Sequence, residues 1–510
     1  MNDSEEPRQG VYSKKISRNA VYNLLGSAFT MLVTFAAMPF IVHRLGASSF
    51  GVLTLALTIA GYFTILDLGL GTAIIKFLSE KKNDSNDEFK ENLLVGTAFL
   101  LNLAAGAIGA VCILIAAPFI VSIFRLEAQN FADATAALRI CSLMFFINMS
   151  SAVFLAIPQA KQRFDILSAI RSVTYMIQTA GIVILLQLGF SLTSVAWCYA
   201  ASSAFLMIAL YLVSRKLMLG KADFIPLFDK QSCRLLLSFG YYSTVTKLAS
   251  ILLNNVDKLI IGAFLGVESV SYYAAPFLLS SWIYKISTIV GPVTMPAASE
   301  LISLGDKQRL KSLSIRGTKY ILLFCVPPAV FLAATSELTL KIWMGPEFAL
   351  HGSAAMLPLV IGVFFQGIIT VQSMIIVGAG KIRLLTIATT IGGVISAILC
   401  LALTKPFGIC GSATAFAFGA TAIAIPVFIH GCRISCVTIM EIMRAAFLKP
   451  FIASIINYFF LIAFKHMVGN IIDLIILAAA SIVIYAASLL ALKAIGKDDI
   501  SALRNFFPRN

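Results

Sequence analysis

The sequence predicts an all-α polytopic membrane protein with about 14 transmembrane helices, and three observations support this fold class. Apolar residue types make up 59% of the 510 residues, whereas charged types make up only 12%. Runs of about twenty apolar residues recur along the chain, and each could cross a hydrocarbon core of about 30 Å as a helix. These runs are continuously apolar rather than alternating, which excludes a transmembrane β-barrel.

The apolar runs divide the chain into fourteen predicted spans. In order, they cover residues 19–42, 50–70, 92–118, 135–157, 166–188, 192–213, 235–262, 270–297, 318–343, 354–378, 384–404, 409–430, 444–465 and 471–493. Two connections, 71–91 and 298–317, are amphipathic and fall after the second and the eighth span. We expect both to lie at the membrane interface.

The first part of the chain is duplicated. Residues 45–170 recur weakly but in register 220 positions later. Because each copy contains an even number of spans, both copies begin on the same side of the membrane, and a pseudo-twofold axis along the membrane normal relates them. The matching positions are Leu45-Gly46 with Leu265-Gly266, Ser49 with Ser269, Glu80 with Glu300, and Lys161 and Arg163 with Lys381 and Arg383.

This duplication predicts two six-helix lobes with two extra C-terminal helices. The predicted parts are a cytoplasmic N-terminal tail (1–18), an N-lobe of helices 1–6 (19–213), a cytoplasmic linker (214–234), a C-lobe of helices 7–12 (235–430), helices 13 and 14 (431–493) and a cytoplasmic tail (494–510). Helices 13 and 14 have no counterpart in the repeat, and the pattern assigns them no role.

The basic residues predict the orientation. If the N-terminus is cytoplasmic, the outer loops hold only six of the 39 lysines and arginines, namely Arg44, Arg125, Arg139, Lys341, Lys405 and Lys465. The positive-inside rule therefore places both termini in the cytoplasm. The net charge of +15 then belongs to loops that face an anionic inner leaflet, so it does not indicate nucleic-acid binding.

Several classes of function are disfavoured. The nine cysteines are scattered without a CxxC pair, and the four histidines are far apart, so no metal site is expected. Cys432 and Cys436 lie one helical turn apart, which is more often coincidence than ligation. The chain has no Walker motif, and the longest predicted external loop, 119–134, has no room for catalytic groups. The sequence therefore predicts neither an enzyme nor a cofactor.

Two lysines lie within predicted spans on the seventh and eighth helices. Lys247 and Lys285 both fall near the middle of their spans, and neither has an acidic residue at that depth on its own helix. A cation at the centre of a span costs about 2.5–3.5 kcal/mol, so such residues face a polar cavity or a partner. We interpret both lysines as lining a cationic cavity. The alternative is a structural pairing with a polar group on another helix.

The seventh helix carries further polar residues on the same face. Asn254 and Lys258 follow Lys247 by seven and eleven positions, which places the three on one helical stripe and makes them candidate substrate contacts. Lys258 could instead extend to the outer interface, with Asp257 solvated beside it. Asn148, Gln178, Gln366 and Gln372 are mid-span amides, for which interhelical hydrogen bonds are the simpler expectation.

Asp67 closes the second predicted span, within the run Leu66-Asp67-Leu68-Gly69-Leu70-Gly71. Its simple interpretation is a cap and hinge for the amphipathic segment that follows. The alternative for Asp67 is a role in gating. Asp257, too, is a candidate gate or hinge if it is not simply solvated.

The run around Asp67, the segment Asn255–Gly266 (NVDKLIIGAFLG) with Tyr272-Tyr273 behind it, and the duplication resemble one family. This family is the polysaccharide transporters of the multidrug/oligosaccharidyl-lipid/polysaccharide exporter superfamily, which include bacterial O-antigen and capsule-repeat flippases. The resemblance covers about residues 14–440.

The resemblance implies a flippase of the bacterial inner membrane that moves a polyprenyl-diphosphate-linked oligosaccharide by alternating access. Its partners would be this glycan, the lipid bilayer and, in the same biosynthetic process, a polysaccharide polymerase and glycosyltransferases. The alternatives are a lipid II-type flippase and a cation-coupled multidrug exporter of the same superfamily. Drug exporters typically carry a carboxylate in the first helix, and lipid II flippases carry arginines in the first two, whereas here Arg18 and Arg44 only flank the first span. A membrane scaffold without transport activity would not explain the lysines within spans.

Overall fold

The computed structural model describes residues 6–79, 87–124, 128–218, 226–288 and 291–494, and within them it contains helices and turns but no strand. The predicted all-α polytopic fold class is confirmed. Some predicted features lie outside the described residues, namely Glu80, the first five residues of the N-terminal tail, positions 219–225 of the linker, and the C-terminal tail from residue 495.

The helices are numbered here in chain order. They are α1 (Glu6–Phe63), α2 (Leu70–Ser79), α3 (Asp87–Ile123), α4 (Ala128–Ala160), α5 (Phe164–Gln187), α6 (Leu192–Met218), α7 (Lys230–Leu265), α8 (Val267–Ser287), α9 (Gly291–Ser303), α10 (Lys307–Ala334), α11 (Ser336–Met344), α12 (Pro346–Ile368), α13 (Thr370–Gly378), α14 (Ile382–Ile434), α15 (Ile439–Ile442), α16 (Leu448–Phe464) and α17 (Ile471–Ala491). A 3₁₀ turn, Thr64–Asp67, connects α1 to the start of α2.

Eleven helices within the described residues are long and apolar enough to cross a membrane. Two of these, Gly26–Asp67 and Ile382–Ile434, contain 42 and 53 residues, which at about 1.5 Å per residue is at least twice a hydrocarbon core. Each is interrupted by a glycine with a non-helical backbone, Gly46 in the first and Gly408 in the second. Both interruptions fall where the sequence predicts a break between spans, while the total of fourteen stays a prediction.

Three predicted spans are interrupted where hydropathy gave no signal. Residues 270–297 are divided between α8 and α9, 318–343 between α10 and α11, and 354–378 between α12 and α13. Apolar residues continue across the third break, at Ile369, so a hydropathy profile cannot locate it, whereas Thr335, Ser336 and Glu337 at the second break are polar but too few to divide the predicted span. At the second break, the Thr335 hydroxyl donates to the Phe331 carbonyl at 2.7 Å, a local bond that competes with helix continuation.

The two repeats share backbone features. Gly46 has φ 80° and ψ 159°, and its counterpart Gly266 has φ 90° and ψ 168°, a region that is essentially restricted to glycine. The turn after α4 also recurs after α13, because Arg163 N–H donates to the Pro158 carbonyl at 2.8 Å and Lys381 N–H donates to the Ile376 carbonyl at 3.0 Å. This second match is offset by 218 positions, so the repeat slips by two residues between the two features.

The chain forms two compact units. The first unit consists of Tyr22–Ile251 with Lys258–Ser271. In its core, α2 packs one face against α3 and α4, and the buried positions Leu70, Ala73, Ile74 and Leu78 recur at helical spacing. The amphipathic segment after the second span is therefore anchored in the protein over its described part.

The second unit contains the described part of Met1–Val21, Leu252–Asp257 and the chain from Tyr272 onward. Here α16 and α17 pack on α10, with Tyr485 buried in a cluster that includes Leu322 and Val326. A buried hydrogen bond of 3.0 Å from Ser481 to Asn457 joins α16 to α17. Most of α7 belongs to the first unit, whereas the sequence predicts this helix as part of the C-lobe.

Replacing Gly51 with alanine should destabilise the first unit. A Cβ at Gly51 would lie 1.9 Å from the Val267 carbonyl oxygen, so the backbone at the start of α8 has to move. We expect a loss of about 1–3 kcal/mol, measured as thermal unfolding in detergent. Gly61 is the control, because it lies in α1 and a Cβ added there would meet no atom within 4 Å, so alanine should be neutral or stabilising. Equal melting temperatures for both variants would contradict this packing.

Candidate functional site

The beginning of α7 is fixed by Asp229. Its carboxylate accepts hydrogen bonds from the backbone N–H of Ser232 at 2.7 Å and from the Ser232 hydroxyl at 2.6 Å. These bonds lower the pKa of the Asp229 carboxyl because they stabilise its charged form. The backbone N–H of Asp229 also donates to Thr97 Oγ1 at 2.9 Å, which attaches the start of α7 to α3.

Asp67 and Lys247 form an ion pair within the first unit. The Lys247 ammonium on α7 donates to Asp67 Oδ2, at the end of the 3₁₀ turn that follows α1. The other carboxylate oxygen, Oδ1, accepts from the backbone N–H of Gly71 at 3.4 Å in the first turn of α2. This second contact is long for a hydrogen bond, and together the two contacts connect the start of α2 to α7 through Asp67.

The ion pair bears on the two interpretations of Lys247, while the lining of a cationic cavity stays a prediction. Of the two alternatives, pairing with a polar group on another helix is the one observed, and Asp67 is that group. Asp67 is the last residue of the 3₁₀ turn after α1, and Lys247 lies midway along α7 (Lys230–Leu265). The expected midplane depth of Lys247 stays a prediction.

The two members of the pair differ in exposure. The Asp67 side chain is 10% exposed, whereas the Lys247 side chain is 37% exposed. The carboxylate is held by the protein, and the ammonium has accessible surface beyond its contact with Asp67. An ammonium has three N–H donors, so Lys247 can bind a second anion at this surface.

Asn254 and Asp257 belong to the second unit, through the short part of α7 that packs there. Asp257 is 1% exposed and accepts a hydrogen bond from the hydroxyl of Tyr273, which is fully buried. Asn254 Oδ1 accepts from the Gln366 side-chain amide at 3.4 Å, which is long for a hydrogen bond. Asp257 is therefore a buried carboxylate, and the expectation that it is solvated is wrong.

The remaining two lysines also differ from expectation. Lys258 is 7% exposed within the first unit, so its side chain is packed in protein rather than extended to the interface. Lys285 lies in the last turn of α8, two residues before the helix ends at Ser287, and its side chain is exposed. The predicted span 270–297 is divided just after Lys285, so this lysine lies near a helix end, and its expected midplane depth stays a prediction.

Interhelical hydrogen bonds account for three of the four mid-span amides. Gln178 accepts from Ser202 at 3.1 Å, Gln372 donates to Thr318 at 2.9 Å, and Gln366 donates to Asn254. These contacts agree with the expectation that the mid-span amides form interhelical hydrogen bonds. Within the described part of the chain, no group of three histidine, cysteine, aspartate or glutamate side chains could hold a metal ion.

Comparison with known proteins assigns the family. The family model described as "Polysaccharide biosynthesis protein" matches residues 40–350. The chain belongs to this family. A putative O-antigen transporter of Shigella flexneri is 24% identical over 373 residues, which cover 72% of this chain and 86% of that protein.

Two solved structures share the fold of this polysaccharide biosynthesis protein. A lipid II flippase, MurJ, in an inward closed conformation aligns with a TM-score of 0.71 at 15% identity, over 92% of this chain and 98% of that one. A MATE family multidrug resistance transporter in an inward-facing conformation aligns with a TM-score of 0.58 at 15% identity, over 82% and 98% of the two chains. The expected polysaccharide transporter family and multi-pass membrane protein are confirmed.

Proposed function

We propose that this protein is a flippase, without catalytic activity, that moves a polyprenyl-diphosphate-linked oligosaccharide across the bacterial inner membrane. The oligosaccharide would be a repeat unit of O-antigen, capsule or exopolysaccharide. Family membership and the name of the Shigella flexneri relative support the class of cargo. Both termini would lie in the cytoplasm, as the basic residues predict.

The observation that carries this proposal is the partly exposed ammonium of Lys247, which lies midway along α7. A diphosphate is the anion that every such substrate contains, whatever its sugars. Lys247 already binds one carboxylate, and 37% of its side chain remains exposed. A diphosphate oxygen can therefore bind beside Asp67 or take its place, because an ammonium binds phosphate as readily as carboxylate.

An exchange of partners at Lys247 would link substrate binding to α2. If the diphosphate displaces Asp67 from Lys247, the carboxylate keeps only its bond to the Gly71 N–H. The connection between α2 and α7 is then broken. This exchange gives Asp67 the gating role that the sequence left as an alternative.

Other polar groups can meet the remainder of the substrate. The exposed Lys285 offers a second cation, and the side-chain amide of Asn254 stays a proposed substrate contact. Amides bind sugar hydroxyls without requiring one particular sugar. Buried Lys258 and Asp257 would support the shape of α7, and Asp257 remains a candidate hinge.

The mechanism we propose is alternating access. The two compact units would be the bodies that move, opening a polar path first to one side of the membrane and then to the other. Glycosyltransferases that assemble the substrate inside and a polymerase that consumes it outside would be the partners in the process.

Purified protein in proteoliposomes tests the proposed activity. The probe is a fluorescent undecaprenyl-diphosphate oligosaccharide, and a membrane-impermeant quencher measures the fraction that has crossed the bilayer. We expect transport of this probe, but not of a fluorescent phosphatidylethanolamine. Equal rates for the probe in protein-free vesicles would contradict a flippase, and transport of lipid II alone would indicate the alternative function.

The orientation is tested by cysteine labelling on a background that lacks the nine native cysteines. Lys230 and Leu350 are both exposed in the structure, and the topology places them on opposite sides of the membrane. An impermeant maleimide added to intact cells should label Leu350→Cys and not Lys230→Cys. Labelling of Lys230→Cys from outside would invert the whole arrangement.

A further inference from the structure

A groove on the second unit is formed between the two halves of α14. It encloses about 520 Å³ and is lined by the apolar residues Leu384, Ile387, Ala388 and Ile391 from the first half and by Pro426 and His430 from the second. Lys381 and Arg383 lie at one end. The groove therefore has an apolar body and a basic end, which is the shape of a site for an anionic lipid.

The basic end is available to a ligand. Both Lys381 and Arg383 are exposed, and among the described residues neither forms an ion pair. His430 lies with its ring nitrogen Nδ1 2.9 Å from the Pro426 carbonyl oxygen, to which it donates. The other ring nitrogen, Nε2, stays available as a further polar group in the lining.

The first repeat provides an internal comparison. At the offset of 220, Lys381 and Arg383 correspond to Lys161 and Arg163, and both of these have acidic partners. Arg163 forms two hydrogen bonds with Asp165, at 3.1 and 3.0 Å, and Lys161 lies 3.5 Å from Glu91. The corresponding positions in the second repeat, 220 residues later, are Leu385 and Lys311. With the offset of 218, the positions that correspond to Asp165 and Glu91 are Arg383 and Arg309. Neither alignment therefore places an acidic residue there in the second repeat.

The length of the groove fits one leaflet. From Lys381 to Ile391 the helix rises over ten residues, which at about 1.5 Å per residue is about 15 Å, half of a hydrocarbon core. An acyl chain of a phospholipid occupies about this depth. A polyprenyl chain is several times longer and would extend beyond the apolar lining.

We propose that this groove binds one anionic phospholipid of the inner leaflet, of the phosphatidylglycerol class. The phosphate contacts Lys381 and Arg383, and one acyl chain lies along Leu384, Ile387 and Ile391. The lipid is distinct from the transported substrate and is held whether or not transport occurs. This site goes beyond the proposed function, since it requires only that the chain crosses a membrane with Lys381 and Arg383 on the cytoplasmic side.

Tryptophan reporters in lipid nanodiscs test the site. Ile391→Trp places a reporter in the groove, and Val173→Trp is the matched control, because residue 173 is the counterpart of 391 at the offset of 218 and is also exposed to about half. The probes are phosphatidylglycerol and phosphatidylethanolamine with brominated acyl chains, which quench nearby tryptophans. Spectra of the parent protein subtract the three native tryptophans.

We expect brominated phosphatidylglycerol to quench Ile391→Trp with a preference of about ten- to thirtyfold in relative association constant over phosphatidylethanolamine, whereas Val173→Trp shows no preference. Adding Lys381→Gln and Arg383→Gln should abolish the preference at position 391. Adding Lys161→Gln and Arg163→Gln instead should leave it unchanged, because those side chains are engaged by carboxylates.

Three results would overturn the proposal. The first is equal quenching of Ile391→Trp by both lipids, and the second is a preference that survives the loss of Lys381 and Arg383. The third is relief of quenching by undecaprenyl phosphate at a lower mole fraction than phosphatidylglycerol requires, which would assign the groove to the polyprenyl carrier. Native mass spectrometry provides a second readout, in which Lys381→Gln/Arg383→Gln should retain one phosphatidylglycerol fewer than the parent protein.

Discussion

Replacing Lys247 with glutamine should reduce export of the lipid-linked glycan about ten- to a hundredfold, the range expected for losing one charge-assisted hydrogen bond to a phosphate. The measurement is surface glycan in cells that depend on this protein, together with transport in proteoliposomes. Lys247→Arg should retain more export than Lys247→Gln, because a guanidinium also binds phosphate through charged N–H groups.

Variants of Asp67 separate a role in substrate binding from a role in stability. Lys247→Gln alone leaves the Asp67 carboxylate, whose side chain is 10% exposed, without its cation, so some loss of stability is expected. The double variant Asp67→Asn/Lys247→Gln removes both charges and should regain that stability while export stays low. The exchanged pair Asp67→Lys/Lys247→Asp keeps an ion pair and should also be stable but inactive.

Recovery of export in the double neutral variant or in the exchanged pair would show that Lys247 serves only to hold α7 to α2. The proposal that Lys247 binds the diphosphate would then be wrong, whereas the ion pair between Asp67 and Lys247 would keep its structural role. Thermal unfolding of each variant in detergent has to accompany the export measurement, because loss of folded protein also lowers export.

The sequence predicted the fold class, the family and the duplication, because these depend on long apolar runs and on residues repeated at a fixed distance. It also located the breaks at Gly46 and Gly408, where polar residues interrupt the hydropathy profile. The break at Ile369 was missed because apolar residues flank it, and the break at Thr335 was missed because its polar residues, Thr335, Ser336 and Glu337, are too few to divide an apolar run. A hydropathy profile measures composition and does not detect a local change in backbone direction.

The candidate site was predicted by residue type but not by contact. Lys247 and Asp67 were both identified as candidates, yet they are 180 positions apart, and only the folded chain brings them together. Tyr273 was recognised as part of a family motif, although its contact with Asp257 was not. A lysine and an aspartate that are both placed inside apolar spans of different helices were the available signal, since each is costly there without the other.

Spin labels on the two compact units should reveal the motion that alternating access requires. Arg44 belongs to the first unit and Leu350 to the second, and both are exposed at predicted outer ends of spans. If the units move as bodies, the distance distribution between labels at 44 and 350 should contain two populations. A substrate that binds one state ten times more tightly changes their ratio about tenfold.

Labels at Arg44 and Phe190 provide the matched control, because both positions lie in the first unit and both are exposed. This pair should give one population that does not respond to the undecaprenyl-diphosphate oligosaccharide. In Lys247→Gln, the pair at 44 and 350 should keep its two populations but lose the response to substrate, since the anion no longer has its cation. A single unchanged distance between 44 and 350, in protein that transports the probe at the parent rate, would show that the units do not move against each other. Alternating access by motion of the two units would then be wrong.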